Sequence, residues 1–168
     1  MEIVIFEELL KSVVDKLPEV QVNANISRKP SFGWGNSDSL RKFIEDKGEE
    51  HYPFIWSVPR QDSKSDSLGV FTREVELNIC TRETRELANK IRIDTGYSYK
   101  EVILPIWEAL CRQFSFSPIC PVEDTLRWDL FPDYKLSDGR SESQEIWDVL
   151  KLTFTANYSK ENAPINGA

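Results

Sequence analysis

In the stretch FTREVELNIC, residues 71–80, apolar residues alternate with polar ones: Phe71, Val75, Leu77 and Ile79 share one face, and Thr72, Glu74, Glu76 and Asn78 share the other. Successive side chains of an extended strand point to opposite faces, so this period of two predicts a strand with one buried face and one solvated face that carries Glu74 and Glu76. A second alternating stretch closes the chain, with apolar residues at Leu150, Leu152, Phe154, Ala156 and Tyr158. Two half-buried strands favour an antiparallel sheet with a layer packed against one face.

Apolar residues spaced three and four positions apart predict the helices that cover this sheet. Four such stretches lie in residues 1–17, 37–47, 81–93 and 99–114. Asn36 or Ser37 is expected to cap the second helix, and Thr81 or Thr84 the third. The order of helices and strands predicts an α+β class, in which helices pack on one face of a mainly antiparallel sheet.

The chain length predicts a single domain, since 168 residues are enough for one core. We assign the domain to residues 1–158. Residues 159–168 have little apolar surface to bury, so we expect them to extend from the domain as a flexible tail.

Pro105 lies inside the fourth predicted helix, beyond its first turn. There it lacks a backbone donor and its ring crowds the carbonyl of Glu101, at a cost of roughly 3 kcal/mol unless the helix bends. We therefore expect a bend at Pro105, with a structural purpose.

The remaining segments are assigned by composition. EVQVNANI, residues 19–26, predicts one half-buried strand, and HYPFIWSVP, residues 51–59, predicts a buried or edge strand. Residues 60–69 and 115–145 are polar or rich in Pro and Asp, and they predict two long loops. We expect both loops to be assembly contacts that become ordered beside a neighbour.

The charge balance excludes some function classes. Lys and Arg number 21 against 28 Asp and Glu, which gives a net charge of -7 and argues against tight binding of nucleic acid. No stretch approaches the roughly 20 apolar residues that span a bilayer, so no membrane partner is predicted. Acidic Glu2, Glu7 and Glu8 stand where a signal peptide carries lysines, which indicates a mature, intracellular segment.

No residue pattern for catalysis is evident. His51 is the one histidine and has charged, solvated neighbours, so no catalytic role is predicted. Glycine-loop motifs are absent, and the three cysteines lack the spacing of a disulfide framework or zinc site. We therefore predict no enzyme, no cofactor and no metal. The acidic stretch 123–138 leaves two interpretations open, a solvated loop or a cation site formed by carboxylates.

Aromatic residues make up 11% of the chain, and three of them stand out. Trp34, Trp128 and Phe131 lie beside Gly, Pro and Asp, which predicts loop positions, including a turn around Trp34. Their rings are then buried either against a partner or against their own domain. We take these three residues as candidate interface residues.

The order of elements between Tyr52 and Tyr158 resembles the tail-terminator and head-to-tail joining proteins of tailed bacteriophages. The resemblance rests on the order of the strand REVELNI, a helix, the helix with VILPIWEAL, a long irregular insert and the closing IWDVLKLTF. YPFIWSVP also resembles a strand that such proteins place before the central hairpin. It is carried by apolar patterns and one proline rather than by a catalytic signature.

The resemblance implies a structural virion protein that is assembled in the host cytoplasm and located at the neck or tail. It implies a homo-oligomeric ring of six or twelve copies that joins the portal or an adaptor to the tail and lines the DNA passage without binding DNA tightly. In such a ring the face with Glu74 and Glu76 lines the passage or meets a neighbouring subunit, and two carboxylates suit the passage better. The alternative is a soluble monomeric adaptor or binding module without catalysis, whose loops at Trp34 and Trp128 clasp one partner.

Overall fold

The computed structural model describes residues 5–23, 25–47, 52–60, 62–65, 70–82, 98–135 and 146–159. Its helices are α1 (Phe6–Val14), α2 (Ser37–Lys47) and α3 (Leu104–Phe114), and a π-helical segment (Ser98–Ile103) directly precedes α3. Its strands are β1 (Val20–Asn23), β2 (Ile26–Arg28), β3 (Ser31–Trp34), β4 (Phe54–Val58), β5 (Asp62–Ser65), β6 (Val70–Arg82), β7 (Ile119–Pro121), β8 (Arg127–Lys135) and β9 (Ile146–Ser159). His51, Thr84 and most of the expected tail lie outside the described residues.

Strands β6 and β9 form the centre of a seven-stranded sheet. They pair antiparallel from Val70 opposite Ser159 to Arg82 opposite Trp147. On the far side of β6 lie β4 and β5, and β3 continues the sheet parallel to β4, while β7 and β8 both pair antiparallel with β9. The predicted α+β class with a mainly antiparallel sheet is confirmed.

The two faces of the sheet carry different layers. The front face, which bears Leu77 and Leu152, packs with α1, the π-helical segment and α3 in the larger core. The back face bears Phe54 and Trp56, which alternate with front-facing Ile55, and these rings pack with α2 in a second core. The prediction that helices share one face therefore applies to α1 and α3, whereas α2 covers one end of the back face.

Residues 31–36 form a strand and a helix cap where a turn around Trp34 was expected. A Cβ at Gly33 would lie 2.5 Å from a ring carbon of Trp56, so only glycine lets β3 lie against this ring. The Trp56 indole donates to the Gly35 carbonyl at 3.1 Å. Asn36 Oδ1 accepts the Ser39 backbone N–H at 3.0 Å, which confirms Asn36 as the predicted cap of α2.

Several predicted segments differ from the structure. Residues 19–26 contribute to the hairpin of β1 and β2, with Asn23 opposite Ile26, rather than one strand. The two predicted loops contain β5, β7 and β8. β5 and β7 have only four and three residues, and β8 shifts register between Phe131 and Tyr134, so none of them shows a sustained period of two. Strand β6 continues through Thr81, so Thr81 does not cap a helix.

Pro105 is the second residue of α3 rather than an interior residue of one long α-helix. The chain is already helical from Ser98, but its hydrogen bonding changes from the π to the α pattern at Leu104. The first turn of an α-helix tolerates proline, because its backbone donors have no intrahelical partner there. The change of pattern thus accommodates Pro105, and such junctions are also places where helices bend.

Replacing Gly33 with alanine is expected to destabilise the fold. The added Cβ must displace the Trp56 ring, which also packs on Phe43, and overpacking of this kind costs about 1–3 kcal/mol. Chemical denaturation of Gly33→Ala against the wild type measures the change. Ser31→Ala on the same strand is the control, and equal stability of all three proteins would contradict the close approach.

Candidate functional site

The structure places the three candidate interface residues on two edge strands, not in loops. Trp34 is 40% exposed on β3, and Trp128 and Phe131 are 53% and 39% exposed on β8. Four strand spacings of about 4.8 Å separate these edges, or roughly 19 Å. Trp128 pairs with Leu152 on the front face and Phe131 with Val149 on the back face. The structure therefore does not bring the three residues into one site.

Strands β7 and β8 occupy the same side of β9 in succession, with a break at residues 122–126. Thr125 fills this break, because its hydroxyl accepts the Thr155 N–H at 3.0 Å and donates to the Val122 carbonyl at 2.7 Å. Arg127 donates to the carbonyls of Asp124 and Leu126, both at 3.0 Å. Side chains thus hold the backbone where strand pairing is interrupted.

A polar cleft of about 250 Å³ opens on the back face beside this break. It is lined by Arg60, Glu74, Val75, Glu76, Thr125, Thr153, Phe154 and Thr155. Glu74 and Glu76 lie on the back face, as the alternation predicted. They differ in environment, because Glu74 is exposed while only 14% of the Glu76 side chain is exposed.

Glu76 is held by two basic side chains. Arg60 donates to one carboxylate oxygen at 2.9 Å, and Lys151 lies 3.3 Å from the other. Burial raises the pKa of Glu76, but the hydrogen bonds and charges of Arg60 and Lys151 together outweigh it, so the pKa is lowered. Sequence reasoning missed both basic residues, because their approach to Glu76 depends on the register of β6 with its neighbours.

A second ion pair is buried in the larger core. Arg73 of β6 donates to Glu7 of α1 at 2.6 Å, and each side chain is only 8% exposed. The Arg73 guanidinium also lies 4.8 Å from the centre of the Phe6 ring. Removing one partner of such a pair leaves a buried charge, so the pair ties α1 to the sheet and has a structural role.

The three cysteines have free thiols in different environments. Burial raises the pKa of Cys80 far above its ordinary value. Burial also raises the pKa of Cys111, with opposing effects from the charges of Arg112 and Glu108. Thiols with raised pKa values carry little thiolate and are poor nucleophiles, so neither residue suggests chemistry. Cys120 is exposed on β7.

Within the described residues, no group of three His, Cys, Asp or Glu side chains is placed to hold a metal ion. Of the acidic stretch 123–138, the residues Glu123, Asp124 and Asp129 are exposed. Likewise, none of the described helices is long and apolar enough to cross a membrane.

Comparison with known proteins adds no assignment: no protein-family model matches the sequence, and no curated protein matches it.

The contacts of Glu76 with Arg60 and Lys151 are expected to make the stability of the fold depend on pH in the acidic range. A carboxylate whose folded pKa is below 4.5 stabilises the fold above that pH, and the contribution is lost as pH falls through the lowered pKa. Glu76→Gln should therefore lower the free energy of unfolding at pH 7, with the difference from wild type shrinking below pH 4.5. Urea denaturation across this range measures it, with exposed Glu74→Gln as the control. A difference that does not depend on pH would contradict the paired carboxylate.

Proposed function

We propose that this chain is a structural virion protein, a ring-forming subunit at the neck or tail of a phage particle. Six or twelve copies would join the portal or an adaptor to the tail and line the DNA passage. The protein would be assembled in the host cytoplasm and have no catalytic activity. This proposal rests on the sequence resemblance and on two features of the described residues.

The placement of exposed tryptophans on opposite edges of one sheet carries the proposal. A ring needs a head-to-tail contact, in which two different surfaces of the same chain meet. Trp34 on β3 and Trp128 on β8 provide an aromatic residue at each edge. Aromatic side chains are typical of interface cores, and edge strands carry unpaired backbone groups that another strand can bond.

The charge of the back face agrees with a passage that does not hold DNA. Glu74 is exposed there, and the basic side chains Arg60 and Lys151 both contact Glu76. A cation already paired with a carboxylate has less charge to offer a phosphate, and the whole chain is acidic. Such a surface lets phosphates pass without releasing enough counterions for tight binding.

The same placement disfavours the monomeric adaptor. That alternative requires Trp34 and Trp128 to clasp one partner, but they lie on strands at opposite edges. A small partner that covers one edge would leave the other exposed. Two distant edges suit contacts with two neighbours better than contact with one.

Trp34→Ala is expected to lower the fraction of ring-sized particles, because it removes the aromatic contact of the β3 edge. Electron microscopy and light scattering of concentrated protein measure particles with masses that are multiples of 19.5 kDa. Phe116→Ala is the matched control, since Phe116 is 82% exposed but lies outside the strands. A wild-type chain that forms no ring, alone or with portal and tail proteins, would contradict the proposed function.

A further inference from the structure

The first half of strand β8, together with Leu126 directly before it, exposes an unusual set of side chains. Leu126 and Trp128 are 38% and 53% exposed, and Arg127 and Asp129 are exposed as well. Within the described residues, β8 pairs only with β9. Large apolar side chains at an edge strand are a liability unless another chain covers them. The segment Leu126–Leu130, here called the β8 edge, therefore needs an occupant.

The sequence of the β8 edge is nearly a palindrome. It reads Leu, Arg, Trp, Asp, Leu, so the apolar residues are symmetric about Trp128 and the two flanking residues carry opposite charges. Trp128 lies on the front face, and Arg127 and Asp129 lie on the back face by alternation. A segment with this pattern is complementary to itself when two copies run antiparallel.

We propose that the β8 edge pairs with the β8 edge of a second copy around a two-fold axis at Trp128. Antiparallel pairing then places Trp128 opposite its equivalent and Leu126 opposite Leu130 on the front face. On the back face, Arg127 of each copy lies opposite Asp129 of the other. Opposite charges and aromatic pairs at directly facing positions stabilise antiparallel strands. The two sheets become one continuous sheet across the pair.

Neighbouring registers are disfavoured, which makes this pairing specific. Moving the axis by one residue, to Arg127 or Asp129, sets two like charges opposite each other. An axis between residues 127 and 128 sets Arg127 opposite Trp128, and an axis between residues 128 and 129 sets Asp129 opposite Trp128. Either register places charged residues beside apolar residues on the same face. Like charges at facing positions destabilise a strand pair. The contact is self-complementary in one register, as a two-fold interface requires.

The pair is a property of the free chain and goes beyond the proposed ring. A head-to-tail contact would use the same β8 edge with the β3 edge of a neighbour. Pair and ring therefore exclude each other at this strand, and ring assembly would begin with separation of the pair. Because the pair does not involve Trp34, Trp34→Ala leaves it intact while weakening the ring, so the failure of one proposal is distinguishable from the failure of the other.

Charge exchange at the β8 edge tests the pair. Asp129→Arg and Arg127→Asp each replace two attractive contacts with two repulsive ones, so each should raise the dimer Kd by at least about ten-fold. An equal mixture of the two variants should form heterodimers with Kd near the wild-type value, because every facing pair is again attractive. Sedimentation equilibrium measures the dimer Kd of each variant and of their mixture. Glu108→Arg, a substitution at an exposed position of α3, is the control.

Two outcomes would overturn the proposal: a wild-type chain that stays monomeric at high concentration, or variants that mix without forming heterodimers. Arg127 also donates to two carbonyls in the adjacent break, and Asp129 faces Lys151 on β9, so circular dichroism must show that both variants are folded. If either is not, it is replaced by Trp128→Cys in a background that carries Cys111→Ser and Cys120→Ser, since both of these free thiols are accessible. Facing residues on the axis lie close enough for a disulfide, so oxidation should yield covalent dimers, and recovery of monomer alone would refute the pair.

Discussion

The long antiparallel pairing of β6 with β9 is the constraint on which the rest of the structure depends. Its register sets Leu77 opposite Leu152 and Val75 opposite Phe154, which gives the larger core a continuous apolar surface. A shift of β6 by one residue would turn Val75 and Leu77 to the back face and bury Glu74 and Glu76 instead. Because all the other strands of this sheet pair with β6, β9 or β4, the position of each edge follows from this one register.

The sequence predicts those parts of the fold where one face is buried and the other is solvated. Strands β6 and β9, the stripe of α1 and the Asn36 cap all carry strong local patterns, and the structure contains each of them. Residues 60–69 and 115–145, which contain β5, β7 and β8, predict loops because they are polar or rich in Pro and Asp. Strands β5 and β7 are too short for a clear alternation, and β8 shifts register between Phe131 and Tyr134, so their pairing depends on the rest of the sheet rather than on a local pattern.

The surroundings of the candidate site residues are harder to predict from the sequence than the central strands, because they depend on long-range contacts. Alternation placed Glu74 and Glu76 on one face, but only the tertiary structure separates an exposed carboxylate from one held by Arg60 and Lys151. Local composition predicts loop positions for Trp34 and Trp128. Whether their side chains can contact the same partner depends on which strand each residue occupies. Their distance across the sheet is a property of strand order, and strand order is set by long-range pairing that no local pattern specifies.

The break at residues 122–126, which Thr125 fills, also limits the length over which another strand can pair with the edge formed by β7 and β8. Residues 122–126 lie between β7 and β8 and belong to neither strand, so a strand that pairs alongside β8 meets an interruption there. Along Leu126–Leu130 the usable length is about five residues, or roughly 17 Å. A contact this short buries little area, and small interfaces dissociate quickly. If two copies pair along Leu126–Leu130 as proposed, the interruption at Thr125 keeps their contact short, so the two copies could separate and pair again.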